Sequence, residues 1–225
     1  MNRIIFFTFF ICSITHAQDD LDVVEAKPLL CFNHEFGVKY STTLTSFNQQ
    51  LDSFNYTQIN ALGFSMSGGI GLKTNHTFHF LEIGASFTGN GADRGGFQVS
   101  ITDFDFGINS MLILRKLSPF ALEPSIKIGV GMTQIAAISQ DSAVTVNDFY
   151  NGVNTMFYEQ SKPQVYLQPG IFIGHSIGKK GPPILYLNIA YKFGLTDYGW
   201  SIPDFPVKRL DGLIARVGLR YLIRR

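Results

Sequence analysis

Phe120-Ala-Leu-Glu-Pro-Ser-Ile-Lys-Ile-Gly-Val-Gly-Met132 alternates large apolar side chains with small or polar ones. Phe120, Leu122, Ile126, Ile128, Val130 and Met132 share one parity; Ala121, Glu123, Ser125, Lys127, Gly129 and Gly131 share the other. A strand sends successive side chains to opposite faces. One face here suits hydrocarbon, and the other is too small and too polar for a dry core. Segments of this kind recur eight times between Cys31 and Arg225, at roughly 32–46, 59–72, 77–88, 97–115, 119–135, 163–177, 183–195 and 210–223. The pattern predicts an all-β, eight-stranded, antiparallel, up-and-down transmembrane β-barrel.

The connections support the same reading. Tight ones follow strands two, four and six, at Lys73-Thr-Asn-His76, Lys116-Leu-Ser118 and Gly178-Lys-Lys-Gly-Pro182. Longer ones follow the odd strands, and the longest runs over 136–162. Short turns at the periplasmic rim and long loops outside are the asymmetry of bacterial outer-membrane barrels. Strand four changes parity, with Phe97, Val99 and Ile101 on one and Phe104, Phe106 and Ile108 on the other. Read as outward throughout, these residues predict a β-bulge near Thr102-Asp103. Pro124 and Pro169 cannot donate to a ladder and predict local irregularities.

The first 17 residues have a basic start, a short apolar run and small residues at Thr15 and Ala17, which is the form of a cleaved secretory signal peptide. The run is shorter than the roughly 20 residues of a spanning helix. Cys12 lacks the small preceding residue of a lipidation site. Residues 18–30 read as a periplasmic N-terminal segment and 31–225 as the barrel. Removing Arg3 with the signal leaves 17 basic residues (18 less one) against 17 acidic. This neutral chain points to no nucleic acid partner. Cys31 is then the one remaining cysteine, so the ladder and not a disulfide holds the fold.

A basic residue facing lipid near mid-bilayer costs about 2–4 kcal/mol, so charged residues on strands belong inside. Parity places Glu35, Lys39, Glu82, Asp105, Glu123, Lys127, Lys192, Arg216 and Arg220 in the lumen, where a structural, salt-bridged cluster is expected. Closing the barrel sets Arg216 and Arg220 near Glu35 and Lys39. Eight strands enclose little more than their own side chains, so a plugged lumen is the first expectation and a narrow small-solute or ion channel the second. An exported lipocalin-like barrel, with the apolar face turned inward around a ligand, is a third.

No catalytic, cofactor or metal residues are assigned. His34, His76, His79 and His175 sit on separate elements without a metal-ligand or acid–base spacing. Gly68-Gly69-Ile-Gly71 and Gly129-Val-Gly131 precede no helix, as a phosphate loop must, and read as small residues inside a tight wall. Phe32, Phe36, Tyr40, Phe120, Tyr166, Tyr191, Trp200 and Tyr221 are expected in interfacial girdles.

With its signal ending Thr15-His-Ala17-Gln18, strands such as Ile126-Lys-Ile-Gly-Val-Gly131 and the closing Leu213-Ile-Ala-Arg-Val-Gly-Leu-Arg-Tyr221, the chain resembles the small outer-membrane barrels of the Bacteroidetes, the PorT-like, porin-family group. That resemblance implies a diderm outer membrane and a non-enzymatic structural or envelope-complex role; one member of the group belongs to a secretion machine. The lipid bilayer is the expected partner, with an envelope protein meeting loop 136–162.

Overall fold

A computed structural model describes residues 28–53, 58–89, 97–114, 120–139, 157–178, 181–197, 199, 209 and 211–223. The strands are β1 (Leu29–Ser41), β2 (Leu62–Lys73), β3 (Thr77–Gly89), β4 (Phe97–Leu112), β5 (Phe120–Ser139), β6 (Phe157–Gln160), β7 (Gln164–Gly178), β8 (Gly181–Gly194) and β9 (Gly212–Ile223). A helix, α1 (Thr45–Ser53), lies between β1 and β2. Each strand pairs antiparallel with its neighbours, β9 returns to β1, and β4 pairs with β5. Because β6 and β7 form two pieces of one stave, the wall is a closed barrel of eight strands.

Alternation decides which face turns where. Phe36, Ile83, Ile108 and Phe120 are all more than half exposed on the outer surface, while Glu35, Glu82, Asn109 and Lys127, on the opposite parity of the same strands, are buried inside. The apolar face is therefore outward, which removes the lipocalin-like arrangement. Such a belt is stable only against hydrocarbon, and a closed barrel leaves no unpaired edge inside it. Among the described residues no helix is long and apolar enough to cross a membrane.

The short connections and both ends of the barrel chain lie at one rim, here the turn end; the long connections lie at the other, the loop end. Several sequence expectations change. β1 begins at Leu29, two residues before the boundary read at 31, and ends at Ser41, because the chain turns into α1 instead of continuing to 46. The bulge at Thr102-Asp103 is absent: the β3–β4 register runs unbroken from Gly89↔Ser100 to Thr77↔Leu112. Val99 and Ile101 instead point inward, buried, on the parity of Asp103 and Asp105. The irregularity falls on the sixth stave. From Gly131↔Gln164 to Gln134↔Gln160 there are three steps along β5 (131 to 134) and four along the facing chain (160 to 164). One extra residue there is the signature of a bulge, and Pro163, which has no N–H, sits in it.

Both strand prolines fall at a local irregularity of a ladder, as their missing N–H predicts. β4–β5 pairing stops at Met111↔Ser125, one residue short of Pro124. The β7–β8 ladder has no pair at Gln168 or Pro169, between Leu167↔Phe193 and Gly170↔Ala190. Loop 136–162 is also shorter than read, because β5 runs on to Ser139 and Phe157–Gln160 pairs with it. Its remaining span, 140–156, lies outside the described residues, as do the signal segment and Trp200.

Candidate functional site

The lumen is the one place among the described residues where charged side chains are concentrated. All nine residues assigned to it by parity are buried, and Asp103 joins them. With Asp103 the buried charges among the described residues number five acids (Glu35, Glu82, Asp103, Asp105, Glu123) and five bases (Lys39, Lys127, Lys192, Arg216, Arg220), so this set is formally neutral.

Every one of the ten has an opposite partner. Toward the loop end, Asp103 Oδ2 accepts from Lys39 Nζ at 2.8 Å and from Lys192 Nζ at 2.7 Å, and Oδ1 accepts from Thr133 Oγ1 at 3.2 Å. Lower on β4, Asp105 Oδ1 accepts from Lys127 Nζ at 2.7 Å and from Tyr166 Oη at 3.0 Å. Lys127 also lies 3.4 Å from Glu82, whose Oε1 takes hydrogen bonds from the Asn33 and Asn109 amides. Across the seam, Arg216 donates to Glu35 at 2.7 Å and to Ser65 and Ser67, while Asn188 donates to both Glu35 oxygens. Unpaired, any of these charges would carry a desolvation cost of several kcal/mol.

Arg220 departs from the expected place beside Lys39 and Glu35. It reaches across to Glu123 at 2.6 Å, and its guanidinium stands over Phe78 at 4.2 Å, Tyr186 at 5.1 Å, and Phe80 and Phe172 at 5.6 Å. Four ring faces around one planar cation are a favourable, desolvated arrangement. With Cys31 and Met111 these rings form an apolar cluster toward the turn end. The closure there is hydrocarbon with one cation at its centre.

The glycines of β4 and β5 acquire a specific role. Gly107 and Gly129 face each other across the ladder, and the Tyr166 ring lies over them; a Cβ on Gly129 would come within 2.6 Å of its hydroxyl. That slot lets Tyr166 reach Asp105 while Lys192 Nζ sits 4.5 Å above the ring. Tyr166 is therefore a fully buried lumen residue and not part of a girdle. Tyr166→Phe is expected to cost about 1.5–3 kcal/mol, the worth of a hydrogen bond to a charged group, read as a lower unfolding midpoint in denaturant. Phe36, Tyr40 and Phe120 are half-exposed on the outer surface, Tyr40 and Phe120 near strand ends and Phe36 midway along β1.

Space inside is scarce. A cavity of about 10 Å³ lies beside Lys39, Ser41, Ile101 and Asp103, room for about one water. His34, His79 and His175 stay apart: His34 stacks on Tyr221, His175 packs against Phe120, and His79 bonds Thr77 and Ser110. Among the described residues no group of three or more His, Cys, Asp or Glu is placed to hold a metal.

This architecture has solved counterparts. A major outer membrane protein from Thermus thermophilus is similar over 88% of this chain and 100% of its own, with a TM-score of 0.56 and 9% identity. The chain has the fold of an outer-membrane β-barrel. Neisserial surface protein A (NspA) matches 88% of this chain and 100% of its own at 10% identity, TM-score 0.47. Ail, the attachment invasion locus protein of Yersinia pestis, matches 86% and 97% at 8% identity, TM-score 0.42. No family model and no curated protein matches the chain.

Proposed function

We propose that this chain is an integral outer-membrane protein of a diderm bacterium, exported by a signal peptide cleaved after Ala17, whose barrel is a non-conducting structural element of the envelope. It performs no chemistry of its own. The observation that carries this reading is the complete mutual pairing of the ten buried lumen charges. A conduit needs groups free to exchange partners with a passing solute, and selectivity rings present unsatisfied charge to the pore. Here each acid and base is engaged by the wall, and the turn end is filled by aromatic rings around Arg220. An eight-stranded barrel has little room for anything further.

Kinship with the PorT-like barrels belongs to the same proposal, resting on the residues that carry the resemblance. So does an envelope protein partner at the loop that follows β5, since recognition concentrates on loops that a rigid wall holds in place. The test is planar-bilayer recording of the refolded mature protein. A flat baseline at either polarity is the expected result. Reproducible single-channel steps would overturn the non-conducting reading.

A further inference from the structure

Outside the lumen, at the loop end, α1, the top of β1 and the residues leading into β2 line a second, open cavity of about 300 Å³. Its frame is pinned. Ser41 N–H donates to Ala61 O at 2.8 Å, closing the neck of the connection. The Asn48 carboxamide bonds both the carbonyl and the N–H of Ile59, at 2.9 and 2.8 Å, tying α1 to the returning chain. Leu44, Phe47 and Ile59 are buried. Thr42 fixes the near side through Tyr191 Oη at 2.9 Å.

The groups left over share one chemistry. Tyr40, Thr45, Gln49 and Gln58 line the cavity with exposed side chains open to a ligand, and among the described residues no hydrogen bond engages them. Among the described residues none that lines the cavity carries a formal charge. A phosphate, carboxylate or ammonium entering would shed water and find no counter-charge, which disfavours ionic ligands. Two carboxamides each offer two donors and one acceptor, and Tyr40 adds a half-exposed ring with its own hydroxyl. Paired donors and acceptors beside an aromatic face suit adjacent hydroxyls on a ring with an apolar C–H side. The volume lies at the small end of small-molecule sites.

Position supplies the source. Tyr40 points outward in the row Leu62–Tyr40–Leu213–Tyr191, read across three ladders at the top of the apolar belt. Aromatic rings at that level lie among the headgroups. We infer that this cavity binds an uncharged hexose ring, presented as the headgroup of an outer-leaflet glycolipid. The inference rests on the membrane reading above.

The test uses the full mature protein in phosphatidylcholine nanodiscs, prepared without glycoside detergent. Saturation-transfer NMR with methyl β-D-glucopyranoside and methyl β-D-galactopyranoside reads the free ring, and nanodiscs containing monogalactosyl diacylglycerol read the headgroup. Transfer to ring protons is expected from both sources, and affinity should fall about tenfold or more in Gln49→Ala/Gln58→Ala and in Tyr40→Leu, equal to the loss of one or two hydrogen bonds. These positions lie outside the lumen, so the variants should keep the heat-dependent gel shift of a closed barrel. No transfer from either source, or transfer unchanged in the variants, overturns the site while a persisting gel shift leaves the barrel reading intact. Transfer from free glycosides alone overturns the glycolipid source. Loss of the gel shift in the wild type marks failure of the membrane reading itself.

Discussion

Asp103→Asn lowers the unfolding free energy by about 3–5 kcal/mol, the cost of removing one partner from a buried ion pair. Asp103 is the counter-ion of two ammonium groups at once, Lys39 at 2.8 Å and Lys192 at 2.7 Å, and all three side chains are nearly inaccessible. Asparagine keeps the volume and can still accept from Thr133, so the loss isolates charge from shape. The neutral lumen then carries an excess positive charge that neither lysine can take to water. Asp103→Asn/Lys39→Met restores the balance and should recover more than half of the loss, the non-additivity expected of partners in one network. Guanidinium unfolding from lipid vesicles measures both variants. Equal stability of Asp103→Asn and wild type would mean that the pairing does not hold the wall.

The second large effect is steric. Gly129→Ala should destabilise toward the upper end of the about 1–3 kcal/mol that overpacking costs. The new methyl would meet the Phe106 carbonyl of the facing strand first, then Tyr166 Oη at 2.6 Å and Gly107 Cα at 2.8 Å. Tyr166 cannot move aside without giving up Asp105 and uncovering Lys192. In a Tyr166→Phe background the same substitution should cost less, because the clashing hydroxyl is gone. A cost independent of the residue at 166 would show that the backbone contact alone decides it. The same denaturant series resolves the two cases.

How much of this was legible in the sequence follows from what period-two alternation can and cannot report. It places side chains in or out wherever lipid-facing positions are large and apolar, so Glu35, Lys127 and Arg216 could be put inside from parity alone. It fails where the barrel rises beyond the belt. Val99 and Ile101 are apolar yet face inward at the loop end, and an all-apolar-outward reading predicts a bulge that the register does not contain. The same reading leaves Asp103 out of the lumen, although it shares its parity with Asp105.

A signal for it was present. The nine lumen charges assigned by parity comprise four acids and five bases, and a closed lumen does not tolerate an unpaired charge. Tyr166 was recoverable in the same way, because it shares parity with Gln164 and Gln168 and not with Val165 and Leu167. Pairing across the lumen was not recoverable. Arg220 meets Glu123 from 97 positions away, and which charges face each other depends on strand tilt and stagger, which alternation does not encode.

The apolar face lies outside and the paired charges inside a closed wall. Gel mobility of the detergent-extracted mature protein, with and without boiling, tests this arrangement most directly. Unheated protein should stay folded in SDS and migrate differently from the boiled sample, with the unboiled form recovered from the outer-membrane fraction. Identical mobility before and after boiling, with the protein in the soluble fraction, would contradict the account.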